Sequence, residues 1–263
     1  MIKKIKLTIL VLLVMPFLRT EQKVSLFYFT PAKFSSNFGD ALSPKIVERI
    51  IKKTLIQNKK YTQQLLSLGS ILHFAQDNDV IWGSGLNGKI PLKNHKFTNL
   101  DVRAVRGPLT RKFLISKGIK CPEIYGDPAL LMPLLFPELK VNPTMEYIVI
   151  PNINEMDEFK SFPNLVVPTE DCMAVVEKIL KAKFVISGSL HGIIVAEAFG
   201  IPARLLRITQ KENIFKYKDY YYGTGRKNFH VAYSLEEAIK MGGEPKPVID
   251  LKLLLESFPH DKF

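Results

Sequence analysis

The feature that most constrains this chain is a junction past its centre. A wholly apolar run at 184–186 passes into Ser187-Gly188-Ser189-Leu190-His191-Gly192 and then, with no spacer, into an apolar helix stopped by Gly200 with Pro202 beyond. A short strand without polar alternation needs cover on both faces, and a helix following it directly supplies that cover in a parallel α/β sheet. Strand-like runs recur at 24–29, 79–82, 147–150 and 203–208, with helical patterns between them. Strands alternating with helices predict parallel sheets.

Local signals place the helices. Ser43-Pro44 predicts an N-cap and first helical position for a helix carrying Ile46, Val47, Ile50, Ile51 and Leu55, which leaves Asn37-Phe38-Gly39-Asp40 in the loop before it. Gly107-Pro108 opens a second helix, closed by Gly118. Thr169 is expected to cap a third, with Met173, Val176, Ile179 and Leu180 facing inward. Residues 133–144 hold three prolines and little periodicity, so they read as a linker, after which the pattern restarts. The expected architecture is α/β, with two Rossmann-like domains over 21–135 and 145–263 whose parallel sheets face a cleft, preceded by a basic and apolar segment at 1–20.

The charge narrows the partner. The 263 residues hold 37 Lys and Arg against 25 acids, a net +12. Residues 1–60 hold twelve of the cations and three of the acids, so +9 lies there and only +3 in the rest. A surface tracking a nucleic acid spreads its cations among stacking aromatics, and this distribution does not. Lys52, Lys53, Lys59 and Lys60 read as a solvated helix face. Three lysines within 1–6 followed by an apolar stretch at 7–18 fit a signal-peptide core, a short membrane anchor or an extra packed element, and are too short to span a bilayer. The chain is therefore expected in the cytoplasm, membrane-associated through residues 1–20, or alternatively in the secretory pathway. Apolar residues make up 46 %, which excludes a disordered chain. Cys121 and Cys172 cannot build a disulfide framework and show no metal-ligand spacing. The chain has no Walker A lysine, no Gly-x-Gly-x-x-Gly after the first strand, no Gly-x-Ser-x-Gly and no His-Glu-x-x-His. These absences argue against a nucleotide triphosphatase or a metal hydrolase.

The central junction carries chemistry. Ligands of open α/β sheets bind at the carboxyl ends of strands. The first helical N–H groups there lack intrahelical partners, and the helix dipole favours an anion. The hydroxyls of Ser187 and Ser189 and the N–H of Gly192 form a candidate cradle for phosphate or carboxylate, with Leu190 on the same turn. His191 is the acid–base candidate. Arg103, Arg106 and Arg111 surround the start of the second helix, and Arg106 sits where a strand meets it, placed to face an anion. Asp127, in Tyr-Gly-Asp-Pro, reads as a cap or as a ligand-facing carboxylate; Asp40 has the same two readings. Residues 216–223 interleave Lys216 and Lys218 with four tyrosines, which suits stacking on sugar faces or on a nucleic acid, or plain packing of two of the tyrosines. His73, His95, His230 and His260 lack comparable context and read as structural or surface residues.

Taken in order, Asn37-Phe38-Gly39-Asp40, Trp82-Gly83-Ser84-Gly85, Val105-Arg106-Gly107, Gly126-Asp127-Pro128-Ala129-Leu130-Leu131, Ser187 through Gly192 with Ala196, Gly200 and Pro202, and the 215–221 stretch resemble the polysaccharide pyruvyl transferase family. The resemblance covers roughly residues 24–230. It implies a fold like the GT-B glycosyltransferases, with the site between two domains. It implies transfer of pyruvate from phosphoenolpyruvate, as a ketal, to a hexose of a cell-surface glycan or its lipid-linked precursor, with no metal, no organic cofactor and no nucleic acid. His191 matches the family's acid–base group and Arg106 its donor-binding arginine. Asn37, Asp40, Arg103, Asp127 and Lys218 are carried as further substrate-binding residues. Many such enzymes have arginine where this chain has Ser189, so Lys218, Arg226 or Arg103 is expected to supply the missing cation. Two other readings remain open: a GT-B-like glycosyltransferase using a nucleotide sugar, and a non-catalytic glycan-binding module.

Overall fold

A computed structural model describes residues 23–33, 36–55 and 61–263. The segment at 1–20, and Lys59 and Lys60 of the expected lysine face, lie outside them. Lys52 and Lys53 are exposed, as expected, just past the end of a helix. Among the described residues, eight strands form two parallel four-stranded sheets. The first holds β1 (Val24–Phe27), β2 (Gln63–Leu66), β3 (Val80–Trp82) and β4 (Asp101–Ala104); the second holds β5 (Ile148–Ile150), β6 (Val185–Ser187), β7 (Ala203–Leu206) and β8 (Val231–Ala232). Both run in sequential order, with Leu26 beside Leu65, Leu65 beside Val80, Ile150 beside Ser187 and Ser187 beside Leu205. Neither sheet reverses its strand order, so neither has an internal crevice of the doubly wound kind. The open space lies where the strand ends of the two sheets face one another.

One helix joins the halves. α5 (Leu190–Ala198) follows β6 directly, and Ile193, Ile194, Val195 and Ala196 on all its sides are wholly buried. A helix apolar all round belongs inside a core. It packs on β6 and β7, on α4 (Cys172–Leu180), on α3 (Met132–Leu135) and on the tight turn at 128–131. Burying each of its Ile and Val side chains stabilises the fold by about 1.5–3 kcal/mol. The main apolar cluster therefore runs unbroken from Val24, Leu65 and Trp82 through Leu130 and Leu131 to Ile150, Ile193 and Leu205. The chain's end returns to the first sheet. Trp82 Nε1 donates to Leu254 O at 3.0 Å on the helix Leu251–Glu256, and Lys23 N donates to Lys262 O at 2.7 Å.

Three local expectations are corrected. α1 spans Phe38–Ile51, so it begins well before Ser43, and Pro44 lies inside it. Asn37 is the N-cap residue, Phe38 N donates to Pro168 O at 2.9 Å, and Phe38 and Leu42 are wholly buried. These contacts outweigh the proline, which in the second turn both forgoes the backbone hydrogen bond to Asp40 O and crowds that carbonyl, at a cost of about 3 kcal/mol. α4 is capped by Asp171, not Thr169: its carboxylate accepts from Met173 N at 2.9 Å and Ala174 N at 3.1 Å. The stretch expected as a linker begins with α3, whose first turn holds Pro133, and runs without regular structure only from there to β5. By contrast α2 (Pro108–Ser116) starts after Gly107 as expected, and Gly118 takes the left-handed conformation (φ 78°) that ends it. No helix among the described residues is long and apolar enough to cross a membrane.

Candidate functional site

The C-terminal ends of strands from both sheets open on one cleft of about 270 Å³. From the first sheet come Phe29, Asn37 and Asp40 after β1, Ser70, His73 and Phe74 after β2, Asn87 and Lys89 after β3, and Arg106 after β4. From the second come Asn152 and Asn154 after β5, Ser189, Leu190 and His191 after β6, and Glu212 and Lys216 after β7.

His191 sits on the first turn of α5, with its imidazole bordering the cleft. Its Nε2 is buried without a hydrogen bond and faces Asp127 Oδ2, equally unpartnered, at 3.6 Å. The other Asp127 oxygen accepts from Ala129 N at 3.0 Å and caps the turn at 128–131. Asp127 thus does what the cap reading expected, and also stands behind the imidazole. The ring rests on α1: a Cβ at Gly39 would lie 2.0 Å from His191 Nδ1. Next to it, Asp40 accepts from Asn37 Nδ2 at 2.7 Å. Burial pushes the Asp40 carboxyl above its ordinary range, although His191, Asn37 and Lys216 pull the other way.

The anion cradle is narrower than expected. Ser189 and Leu190 line the cleft, but Ser187 and Gly192 lie behind its wall. The wholly buried Ser187 hydroxyl sits 3.0 Å from Ile150 O and 2.8 Å from Ser189 O, and accepts from Ser189 N at 3.0 Å. A Cβ at Gly192 would meet Ser187 Oγ at 2.4 Å, so that glycine serves the tightness of the turn. Arg106 reaches the cleft from a wholly buried position. Its Nη1 donates to Ser70 Oγ at 2.5 Å, and its Nη2 to Leu86 O at 2.6 Å and Asp219 Oδ2 at 3.1 Å, while Nε has no partner. The guanidinium therefore ties together the loops after β2, β3 and β4 as well as facing the cleft.

None of the three cations expected to stand in for an arginine at Ser189 lines the cleft. Arg103 pairs with Asp101 and Asp261. Arg226 is buried against Glu197 at 2.7 Å. Lys218 is exposed on α6 (Phe215–Gly223). The helix turns Lys216 inward and carries Lys218, roughly 200° further round, outward. In the cleft stand Lys216 and Lys89, both paired with Glu212, and Asn154 Nδ2 donates to the same carboxylate at 3.0 Å. Burial pushes the Lys216 ammonium down and Glu212 holds it up, the burial prevailing. Burial also raises the Glu212 carboxyl, but Lys216, Lys89 and Asn154 outweigh it and hold it low. Tyr217, Tyr220 and Tyr221 are wholly buried, with Tyr217 donating to Gly188 O at 2.6 Å, so these tyrosines pack and offer no face to a sugar.

Sequence reasoning missed His73, Lys89 and Glu212. His73 lines the cleft with its Nδ1 3.5 Å from Asn87 Nδ2, and burial followed by nearby His95 pushes its imidazole pKa down. Its only signal was a place after the second strand, and that strand, half polar at Gln63 and Gln64, carried no apolar run. Among the described residues no three His, Cys, Asp or Glu side chains come together as metal ligands.

A family model described as polysaccharide pyruvyl transferase matches residues 37–209, more than half of the chain. An uncharacterized protein of Acanthamoeba polyphaga mimivirus is 25 % identical over 189 residues, which is 65 % of this chain and 64 % of that protein, so the match spans less than two thirds of the relative's length. The crystal structure of a functionally uncharacterized protein from Klebsiella pneumoniae superposes with a TM-score of 0.46 at 13 % identity, covering 76 % of this chain and 87 % of that one.

Proposed function

The chain belongs to the polysaccharide pyruvyl transferase family, and we propose that it moves the pyruvyl unit of phosphoenolpyruvate onto two hydroxyls of a hexose in a glycan or its lipid-linked precursor, releasing phosphate. The observation that carries this reading is the cleft itself. Lys216, Lys89 and Arg106 and the first turn of α5 line the same cleft as His191, whose Nε2 has no hydrogen-bond partner. A donor bearing both a phosphate and a carboxylate suits that set. In this reading the two sheets belong to Rossmann-like domains over 21–135 and 145–263 in a GT-B-like arrangement, and residues 1–20 hold the enzyme near a membrane that carries the acceptor.

The chemistry follows from the placement of the groups. Catalytic hydrogen bonds are often long before substrate binds, and the 3.6 Å gap between Asp127 and His191 Nε2 closes in the complex. Asp127 then accepts from Nε2–H and stabilises the imidazolium, which leaves Nδ1 to deliver a proton to C3 of the donor. C2 becomes electrophilic, and one sugar hydroxyl adds to it. The C2–O bond to phosphate breaks, the leaving group keeps the electron pair, and a second hydroxyl closes the ketal. Of the two hydroxyl protons released, one restores His191 and the other leaves with phosphate. Asp40, raised by burial, takes the proton of the attacking hydroxyl and passes it to the departing phosphate, while the second hydroxyl proton restores His191. Arg106, Lys89 and Lys216 neutralise the departing phosphate.

The test is ligand-induced thermal stabilisation followed by phosphate release. Phosphoenolpyruvate stabilises the protein, and phosphate appears only when a hexoside is added. Stabilisation by a nucleoside diphosphate and none by phosphoenolpyruvate assigns the cleft to a nucleotide-sugar glycosyltransferase instead. Hexoside binding without phosphate release makes it a binding module.

A further inference from the structure

Two large apolar side chains among those bordering the cleft remain open to solvent, and both are phenylalanines: Phe29 is 37 % exposed and Phe74 is 38 % exposed. They come from separate loops, after β1 and after β2, yet their rings lie within 19° of parallel with centroids 5.9 Å apart. Phe74 is fixed from its other neighbours by Phe27, at 5.2 Å, and by His73, at 4.0 Å. Two rings stacked on one another in water leave the outward side of the pair uncovered at a cost of about 25 cal/mol per Å². In a site whose other lining residues are mostly polar or charged, that area needs an occupant with an apolar face and a polar edge.

We propose that Phe29 and Phe74 form the platform on which the acceptor pyranose stacks, with Asn87 and His73 at its polar edge. The proposal rests on the pyruvyl-transfer reading for the identity of the acceptor, and on the two rings for its place. One face of a pyranose presents several C–H bonds with a partial positive charge, which matches the negative face of an aromatic ring. Its rim of hydroxyls meets Asn87 and His73, which border the same cleft and lie 3.5 Å apart. Acceptor and donor groups come from neighbouring loops of the first sheet, with Asn87 of the β3 loop and Ser70 of the β2 loop between them. The rings follow β1 and β2, on one side of the first sheet, whereas Lys89 and Arg106 follow β3 and β4. Adjacent strands lie roughly 5 Å apart, so a sugar on the rings comes to lie alongside a three-carbon anion held by Lys89 and Arg106. His191, resting on Gly39 of the segment after β1, borders the same space. The platform also replaces the tyrosines of 217–221, which the fold buries.

The experiment is saturation-transfer NMR with a panel of methyl hexopyranosides, on the wild type and on Phe29→Ala, Phe74→Ala, Phe74→Trp and His191→Ala, with donor binding measured in parallel by titrating phosphoenolpyruvate. Hexoside affinity falls at least tenfold in both alanine variants and persists in Phe74→Trp and His191→Ala, while donor affinity is unchanged throughout the ring variants. Wild-type hexoside affinity in Phe29→Ala and Phe74→Ala overturns the platform, even if the enzyme transfers pyruvate. Saturation transfer to uridine or adenosine that is lost in Phe29→Ala and Phe74→Ala, with none to any hexoside, overturns it as well, in favour of a stacked nucleobase. Hexoside binding that depends on the rings, with no phosphate released from phosphoenolpyruvate, upholds the platform and refutes the transfer reaction.

Discussion

Replacing Gly39 by alanine sets helix stability against the position of His191. On helix grounds the change is favourable by about 0.5–1 kcal/mol. Against it, the new Cβ would stand 2.0 Å from His191 Nδ1, 2.4 Å from Cγ and 2.7 Å from Cβ. The last of these atoms is fixed by α5, so rotating the ring alone cannot relieve the overlap. Asp127 stands behind Nε2 at 3.6 Å and blocks a simple retreat. Overpacking of this kind costs about 1–3 kcal/mol, which exceeds the helix gain. Net destabilisation of up to about 2.5 kcal/mol is expected, a drop of a few degrees in Tm for a chain of this size. Turnover suffers more, because a catalytic group misplaced by about 1 Å loses roughly 100-fold. The assay is acceptor-dependent phosphate release beside a thermal melt, on Gly39→Ala, His191→Ala and the double variant. Removing the imidazole removes the overlaps with Nδ1 and Cγ and leaves only the 2.7 Å contact with Cβ, so Gly39→Ala costs less stability in the His191→Ala background than in the wild type. Wild-type turnover in Gly39→Ala refutes the reasoning, since it means that the imidazole need not stay where α1 holds it.

Other perturbations follow from the same geometry. Asp127→Asn keeps the shape and loses the charge behind Nε2; turnover drops by about 10–100-fold with phosphoenolpyruvate affinity unchanged, and a weakened donor with normal turnover would show that Asp127 binds substrate instead. Burial raises the Asp40 carboxyl, so the native state holds that proton more tightly than the unfolded chain. The stability this contributes is full below about pH 4 and is lost as pH rises through the raised pKa. Asp40→Asn therefore melts above the wild type at pH 7 and converges with it below about pH 4, and a pH-independent difference contradicts the linkage. Lys216→Met raises the donor KM at least tenfold, whereas Lys218→Met on the outer face of α6 leaves it unchanged; equal effects would mean that the cleft is not the donor site.

What the sequence made legible was local. The run at 184–186 with its Gly/Ser turn and immediate helix needs no distant partner to be recognised, and β6 and α5 stand where it placed them. Gly107-Pro108 was equally self-contained. The start of α1 was misread because Pro44 is a strong local signal, while the contacts that overrule it come from residues such as Pro168, far along the chain. The same limit governs the cations. Nothing near Arg103 announces Asp261, 158 residues away, and nothing near Arg106 announces Asp219. In 216–223 tyrosines fall on most sides of the helix, so the pattern does not reveal which lysine turns inward. His73 and Glu212 reach the cleft through loops whose course depends on strand order, and strand order has no local code.

The central claim is a coupled event: donor phosphate is released only as pyruvate becomes a ketal on a hexose. The most direct measurement is a single reaction of phosphoenolpyruvate with a panel of free and lipid-linked hexosides, following phosphate and identifying the sugar product by NMR. The account predicts one ketal methyl signal per phosphate released, on an acceptor bearing two suitably placed hydroxyls, and neither product with His191→Ala. Phosphate release that does not depend on the hexoside, or full ketal formation in His191→Ala, would contradict it.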